Sequence, residues 1–194
     1  MDDEEDENVE LKMPPADWAT TLLRFWFEEH GDADWFGGGP DFDQAVTDNF
    51  AGWREALRSQ PVDAFTGDPQ TALAAIILFD QVPRNAFRGD AETFATDHIA
   101  LAIARESVKR GLDNGLGKNE RLFLYLPFEH SEDEADQRES VRLISALGDQ
   151  RLTQFALDHQ AMITRFGRFP HRNAVLGRAH RAGEAEAVAD GHAW

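Results

Sequence analysis

Apolar residues recur at helical spacing behind polar cap residues along most of the chain, and no alternating run of the kind a half-buried strand needs separates one such segment from the next. The pattern predicts an all-α fold. Asp17 is the expected cap of a stripe through Trp18, Leu22, Phe25 and Trp26; Asp41, with Gln44 three residues on, caps one through Val46, Phe50, Trp53 and Leu57. Asp68-Pro69 sets a cap and a first-turn proline ahead of the apolar run Ala72 to Phe79, read as the central helix. Asp90 is expected to open a helix to about Arg110, closed by Gly111, and Asn119 the next, which Pro127 ends or kinks. Ser131 and Glu134 read as a capping box for a helix to Leu147. Asp149 opens a last stripe through Leu152, Phe155, Ala156, His159, Ile163 and Phe166, stopped by Gly167. Short links between about seven to eight helices imply antiparallel pairs, stacked as a short solenoid or closed as a bundle.

Composition narrows the function. The chain has 194 residues, no cysteine and a formal charge of -17. Disulfide scaffolds, thiolate metal sites and a cysteine nucleophile are excluded, and so acidic a surface repels a phosphate backbone, so no nucleic-acid partner is expected. The longest apolar run, Ala72 to Phe79, is far short of the roughly 20 residues of a membrane span. The opening Met1-Asp-Asp-Glu-Glu-Asp-Glu is the opposite of a secretion signal, so a soluble, cytoplasmic protein with no membrane partner is expected. Seven acids among the first 12 residues predict a disordered acidic tail over 1–14, ahead of one helical domain over 15–180 and a tail over 181–194.

From His159 to Arg181 the charge inverts: five arginines, Arg165, Arg168, Arg172, Arg178 and Arg181, occur with no Asp or Glu. Such an island is either an anion site or the positive partner of acidic helices elsewhere in the chain.

Three segments at helix ends crowd polar groups against aromatics: Asp80-Gln-Val-Pro-Arg-Asn-Ala-Phe-Arg88, Tyr125-Leu-Pro-Phe-Glu-His-Ser131 and Arg165-Phe-Gly-Arg-Phe-Pro-His-Arg-Asn173. In the first, Asp80 and Arg84 are spaced for an i,i+4 ion pair, which leaves either a salt-bridged corner or an arginine, Arg84 or Arg88, to clamp an anion, with Asn85 beside them. In the second, Glu129 and His130 sit among apolar residues, where a carboxylate can set an imidazole tautomer for acid/base work, while Glu132 to Glu134 read as first-turn acids. In the third, Phe166, Phe169 and Pro170 interleave with Arg165, Arg168, His171 and Arg172, with Asn173 following, and aromatic faces of that kind hold guanidinium planes. His159 reads as a core histidine; His98 is ambiguous. The Pro83-Arg-Asn85 and Pro170-His-Arg-Asn173 stretches form a faint internal echo. No pair at His-x-x-x-His or Glu-x-x-His spacing fixes a metal, and there is no P-loop, nucleophile elbow or dinucleotide fingerprint, so no metal and no cofactor is expected.

At these same segments the chain resembles a bacterial family known only as domain of unknown function 924. The stretches that carry the resemblance are Phe25-Trp-Phe27, Trp35-Phe36, Asp80-Gln81 with Pro83-Arg-Asn85, Arg88-Gly89, Phe94-Ala-Thr-Asp97, Tyr125 with Pro127-Phe-Glu-His-Ser-Glu132, and Arg165 to Asn173. The resemblance implies an all-α fold similar to tetratricopeptide-repeat proteins, and no established activity.

Two functional readings follow. In one, Arg84, Arg165, Arg168 and Arg172 hold a small anionic substrate while Glu129, His130 or His171 supplies acid/base chemistry, hydrolysis included. In the other, a tetratricopeptide-like groove grips an acidic peptide without catalysis. The acidic surface itself predicts a melting temperature that rises with ionic strength as self-repulsion is screened; a flat temperature from low to high salt would count against it.

Overall fold

The computed structural model describes residues 12–189; the first eleven residues of the expected acidic tail, and 190–194 of the expected C-terminal tail, lie outside the described residues. Among the described residues the chain is all-helical with no strand, and its helices number nine when a π-wide turn is counted with the helix it interrupts, against the seven to eight expected. Helix α1 (Trp18–Arg24) runs on as a π turn over Phe25–Glu29, and α2 spans Asp32–Gly37. Helices α3 (Pro40–Val46) and α4 (Gly52–Leu57) are one rod joined by a π turn at Thr47–Ala51. The central rod is α5 (Pro69–Ile76), a π turn at Ile77–Gln81 and α6 (Val82–Ala86). Then come α7 (Asp97–Arg110), α8 (Lys118–Glu129), α9 (Glu134–Ser145), α10 (Gln150–Phe166) and α11 (Glu184–Ala189).

The apolar run expected at the centre is there: every residue from Ala72 to Phe79 is wholly buried. A helix that is apolar all round needs neighbours all round, and α5 has α1, α7 and α8 against it. Helix α9 then joins α8 to α10, and a second, smaller apolar cluster of Met162, Ile163, Phe169 and Ala187 seats α11.

Local chemistry explains most helix ends. Asp68 accepts from the amides of Gln70 and Thr71, and Asp149 from those of Arg151 and Leu152, as side-chain caps. Gly111 and Gly167 close α7 and α10 with φ of 71° and 69°, a left-handed turn that a β-carbon disfavours.

Four expected starts shift. Gly39, not Asp41, precedes α3, because Pro40 takes the first position and leaves Asp41 inside the first turn. Gly117, not Asn119, precedes α8, and Glu120 reaches back to its amide at 2.7 Å. Asp133, not Ser131, caps α9; the Ser131 hydroxyl instead donates to Asp136 at 2.6 Å. Asp90 caps only a short 3-10 turn, Ala91–Phe94, and α7 begins after Thr96.

That last break has a tertiary cause. Pro83 has no N–H to offer the carbonyl of Phe79 one turn back, and the Thr96 hydroxyl donates to that carbonyl at 2.7 Å while accepting from buried Arg54 at 3.2 Å. Thr96 is thereby fixed outside the helix, with Phe94 and Asp97 on either side of it.

Leu73→Ala should cost about 2–5 kcal/mol in chemical denaturation, because a wholly enclosed site cannot collapse around the missing atoms, whereas Leu157→Ala on the exposed side of α10 should stay within about 0.5 kcal/mol.

Candidate functional site

Asp80 is a carboxylate with no exposure, standing in the π turn of the central rod. Burial alone would push its pKa up, but Arg84 and His130 outweigh burial and hold it well below the ordinary carboxylate range. His130 Nδ1 lies 2.8 Å from one carboxyl oxygen, Arg84 lies 3.3 Å from the same oxygen, and Gln81 donates to the other at 2.6 Å. Arg84 also donates to the Asp80 carbonyl and makes a two-pronged contact with Asp97 at 2.9 and 3.0 Å. With Asp80 ionised, His130 carries its proton on Nδ1 and presents Nε2 as an acceptor. Burial, and then Arg84, lower the His130 pKa and keep the ring neutral.

Arg172 comes to the same cluster from the far end of the chain. Its guanidinium lies between the rings of Phe94 and Phe169, 4.6 Å from each centroid, and 3.6 Å from the Asp97 carboxylate that Arg84 already holds. It is 7% exposed, and among the described residues no acceptor makes a hydrogen bond with the guanidinium; its Nε is sealed without one. Burial and Arg84 draw its pKa down to about 10, so it is still charged at neutral pH. Arg172, Asp97 and His130 share the wall of a cleft of about 280 Å³ with His98, Ser131 and Glu132.

Behind this wall, Glu129 is buried 3.6 Å from His159 Nδ1. Burial, and then the charge of Asp80, push its pKa to about 8, so it keeps its proton at neutral pH. Burial first, and the cations around them second, lower His171 to about 4; in His159, where a hydrogen bond to the Phe155 carbonyl works the other way, burial brings the value to about 3.

The structure thus brings Asp80, Arg84, His130 and Arg172 into one cluster, with Glu129 behind it and His171 against Phe169. The other candidates lie elsewhere. Asn85 and Arg88 border a separate depression of about 340 Å³ near Trp35, and both are bound to Asp43, Asn85 at 2.7 Å and Arg88 at 3.1 and 2.9 Å. Arg168 makes a two-pronged contact with Glu184, 2.8 Å on each side, and Asn173 donates to the same carboxylate at 2.9 Å. Its hydrogen bond with Arg168 draws Glu184 down to about 2 even against burial. Arg165 stacks on Phe166, 4.6 Å from the centroid. Glu132, expected in the first turn of a helix, stands before α9 and receives both prongs of Arg178, at 2.8 and 3.0 Å, and the amide of Phe169 at 2.8 Å. Two of the island's five arginines, Arg168 and Arg178, are therefore neutralised by Glu184 and Glu132, which lie on either side of it in sequence.

The internal echo has a counterpart in space. Arg84 and Arg172 both reach Asp97, and the following residues, Asn85 and Asn173, each bind a separate carboxylate, Asp43 and Glu184. Asp97 and Glu184 have no assigned role in the sequence pattern, and Glu132 only that of a first-turn acid. Asp97 and Glu132 do fall within stretches that carry the family resemblance, which was the available signal.

A family profile described as bacterial protein of unknown function, DUF924, matches residues 22–192. Among solved structures, the protein of unknown function ATU0120 from Agrobacterium tumefaciens is 36% identical, with a TM-score of 0.84 over 89% of this chain and 97% of that one. No curated protein matches the chain.

The buried acid and histidines set a pH profile. Because Glu129 holds its proton to about 8 when folded and to about 4.5 when unfolded, the folded state binds more protons between those values, and stability falls as pH rises through them, by up to about 1.4 kcal/mol per unit. His159 and His171 act in the opposite sense: unfolded, they protonate below about 6.5, whereas folded they stay neutral to about 3 and about 4, so stability falls as pH drops below 6.5. Two histidines outweigh one acid there, and the melting temperature should peak near pH 6.5. Glu129→Gln should flatten the decline between pH 6.5 and 8 and steepen the rise between about 4.5 and 6.5, where Glu129 no longer opposes the histidines; an unaltered alkaline decline would mean that Glu129 is ionised in the folded protein.

Proposed function

The chain belongs to the DUF924 family of bacterial proteins of unknown function, and from that premise we propose that it binds a small anion at Arg172 and uses His130, oriented by Asp80, as the acid/base group of a hydrolytic reaction. The observation that carries this reading is the guanidinium of Arg172. A guanidinium has five N–H donors, and burying a charge without hydrogen bonds is costly, so a buried arginine on a cleft wall with no hydrogen-bond acceptor among the described residues is a group that a ligand completes. Its fixed fork favours a planar or tetrahedral anion taken through two parallel hydrogen bonds.

His130 borders the same cleft with its Nδ1 engaged by Asp80, which supports a role for Nε2 as general base. In the step it would serve, Nε2 takes a proton from water as the water oxygen bonds to the electrophilic atom of the substrate. The ionised Asp80 stabilises the imidazolium, and the proton passes to the leaving group as its bond breaks. Ser131, although at the cleft, is committed to Asp136 and to the Asp133 amide and is not the nucleophile of this scheme.

A groove for an acidic peptide would need several uncommitted arginines. Arg168 and Arg178 already grip Glu184 and Glu132, and that favours the small-anion reading.

A panel of inorganic phosphate, phosphomonoesters, mono- and dicarboxylates and anionic esters is expected to contain a compound that raises the melting temperature, an effect of roughly 2.7 kcal/mol at 100 times its dissociation constant. Arg172→Met, which keeps the apolar stem between the two rings, should abolish the shift. With an ester that is turned over, His130→Gln should lower kcat by about 10²–10⁴ and leave binding intact. No shift across the panel would overturn the anion site, and unchanged turnover in His130→Gln would overturn the acid/base role.

A further inference from the structure

The charges and walls of the cleft narrow the ligand class, on the premise that Arg172 is an anion site. Two carboxylates border the cleft with Arg172, and each is already matched: Asp97 by both prongs of Arg84, and Glu132 by both prongs of Arg178. Arg172 is a guanidinium left without a hydrogen bond among the described residues, 3.6 Å from an Asp97 that it shares. Arg84 is also shared with the ionised Asp80, so three carboxylates, Asp80, Asp97 and Glu132, already balance three guanidiniums, Arg84, Arg172 and Arg178; a monoanion can use the unmade hydrogen bonds of Arg172, whereas a dianion would face Asp97 and Glu132 with no further cation to offset its second charge.

Of the remaining lining residues His98, His130 and Ser131 are polar, and the other four give the cleft an apolar side. Phe94, Leu101, Pro127 and Leu176 line the cleft beside the guanidinium. Its volume of about 280 Å³ lies at the small end of ligand sites.

We infer that the ligand is a small monocarboxylate, or a molecule carrying one carboxylate, whose apolar body lies against Phe94, Leu101, Pro127 and Leu176 while its carboxylate pairs with Arg172. Phosphate esters, the other common partners of an arginine fork, are disfavoured by the flanking acids.

The test is calorimetric titration of the full chain with acetate, hexanoate, 3-phenylpropanoate, the neutral 3-phenylpropanamide, phenyl phosphate and inorganic phosphate. Hexanoate and 3-phenylpropanoate are expected to bind at least about tenfold more tightly than acetate and than phenyl phosphate, and the amide to bind no more tightly than acetate. Arg172→Met should remove carboxylate binding. Leu176→Gln, at an exposed position where folding is not at risk, should weaken hexanoate and spare acetate. If phenyl phosphate or phosphate binds as tightly as the carboxylates and is lost in Arg172→Met, the anion site stands and the monocarboxylate assignment is overturned. Equal binding of the amide and the acid overturns the assignment because charge is then not recognised, and silence from every probe overturns it together with the anion site.

Discussion

A carboxylate with no solvent contact, Asp80, at the point where the central helix widens, governs the arrangement around it. An isolated buried charge is too costly to persist, so its neighbours must supply opposite charge and hydrogen bonds from several directions. Arg84 comes from the next turn of the same rod, Gln81 from the adjacent residue, and His130 from the end of α8. Each partner carries a demand of its own. Arg84 has donors left over and takes Asp97 at the start of α7; Asp97 in turn draws Arg172 from beyond α10. A single buried acid thus links segments that are distant in sequence. Replacing such a network with apolar residues often leaves a fold as stable or more so, so stability alone is weak reason for its presence. Its position on a cleft wall, with a histidine held in one tautomer, is the stronger reason.

The π turn at Ile77–Gln81 belongs to the same logic. Wide turns leave carbonyls poorly matched to their own helix and often coincide with functional residues. Here the proline that follows removes a further donor, and the carbonyls of Phe79 and Asp80 are taken by side chains, Thr96 and Arg84. The local irregularity therefore fixes both the start of α7 and the orientation of Arg84, which is how one defect in a rod positions two sides of a cleft.

What could be read from the sequence follows the range of the forces involved. The all-helical architecture, the buried run from Ala72 to Phe79, the caps at Asp68 and Asp149 and the glycine ends at Gly111 and Gly167 depend on neighbours within one turn, and periodicity and composition show them. Ser131 looked like a cap because its spacing to Glu134 fits, yet Asp133 is a better acceptor two residues on and Ser131 has a tertiary partner in Asp136. The break at Thr96 depends on a carbonyl 17 residues back and could not be read locally. At the site, Arg84, His130 and Arg172 stood out because charged groups among aromatics are uncommon. Which arginines were already matched depended on Asp43, Glu132 and Glu184, placed by the tertiary fold.

The acid-free stretch from His159 to Arg181 shows how composition can mislead and still point to something. Two of its five arginines are cancelled in three dimensions, Arg168 by Glu184 and Arg178 by Glu132. At Arg172 the hydrogen bonds are left unmade among the described residues, because its nearest acid, Asp97, is engaged by Arg84. The surrounding titratable groups do not alter this: Glu129 is held protonated, and His130, His159 and His171 are held neutral, so none of them changes the charge near Arg172 around pH 7. Glu129 adds no charge to this cluster, because burial penalises its ionised form and a second carboxylate close to Asp80 is repelled by it. The charges around Arg172 are therefore constant across the neutral range, and its unmade hydrogen bonds are on the wall of a cleft wide enough for a small anion to take them.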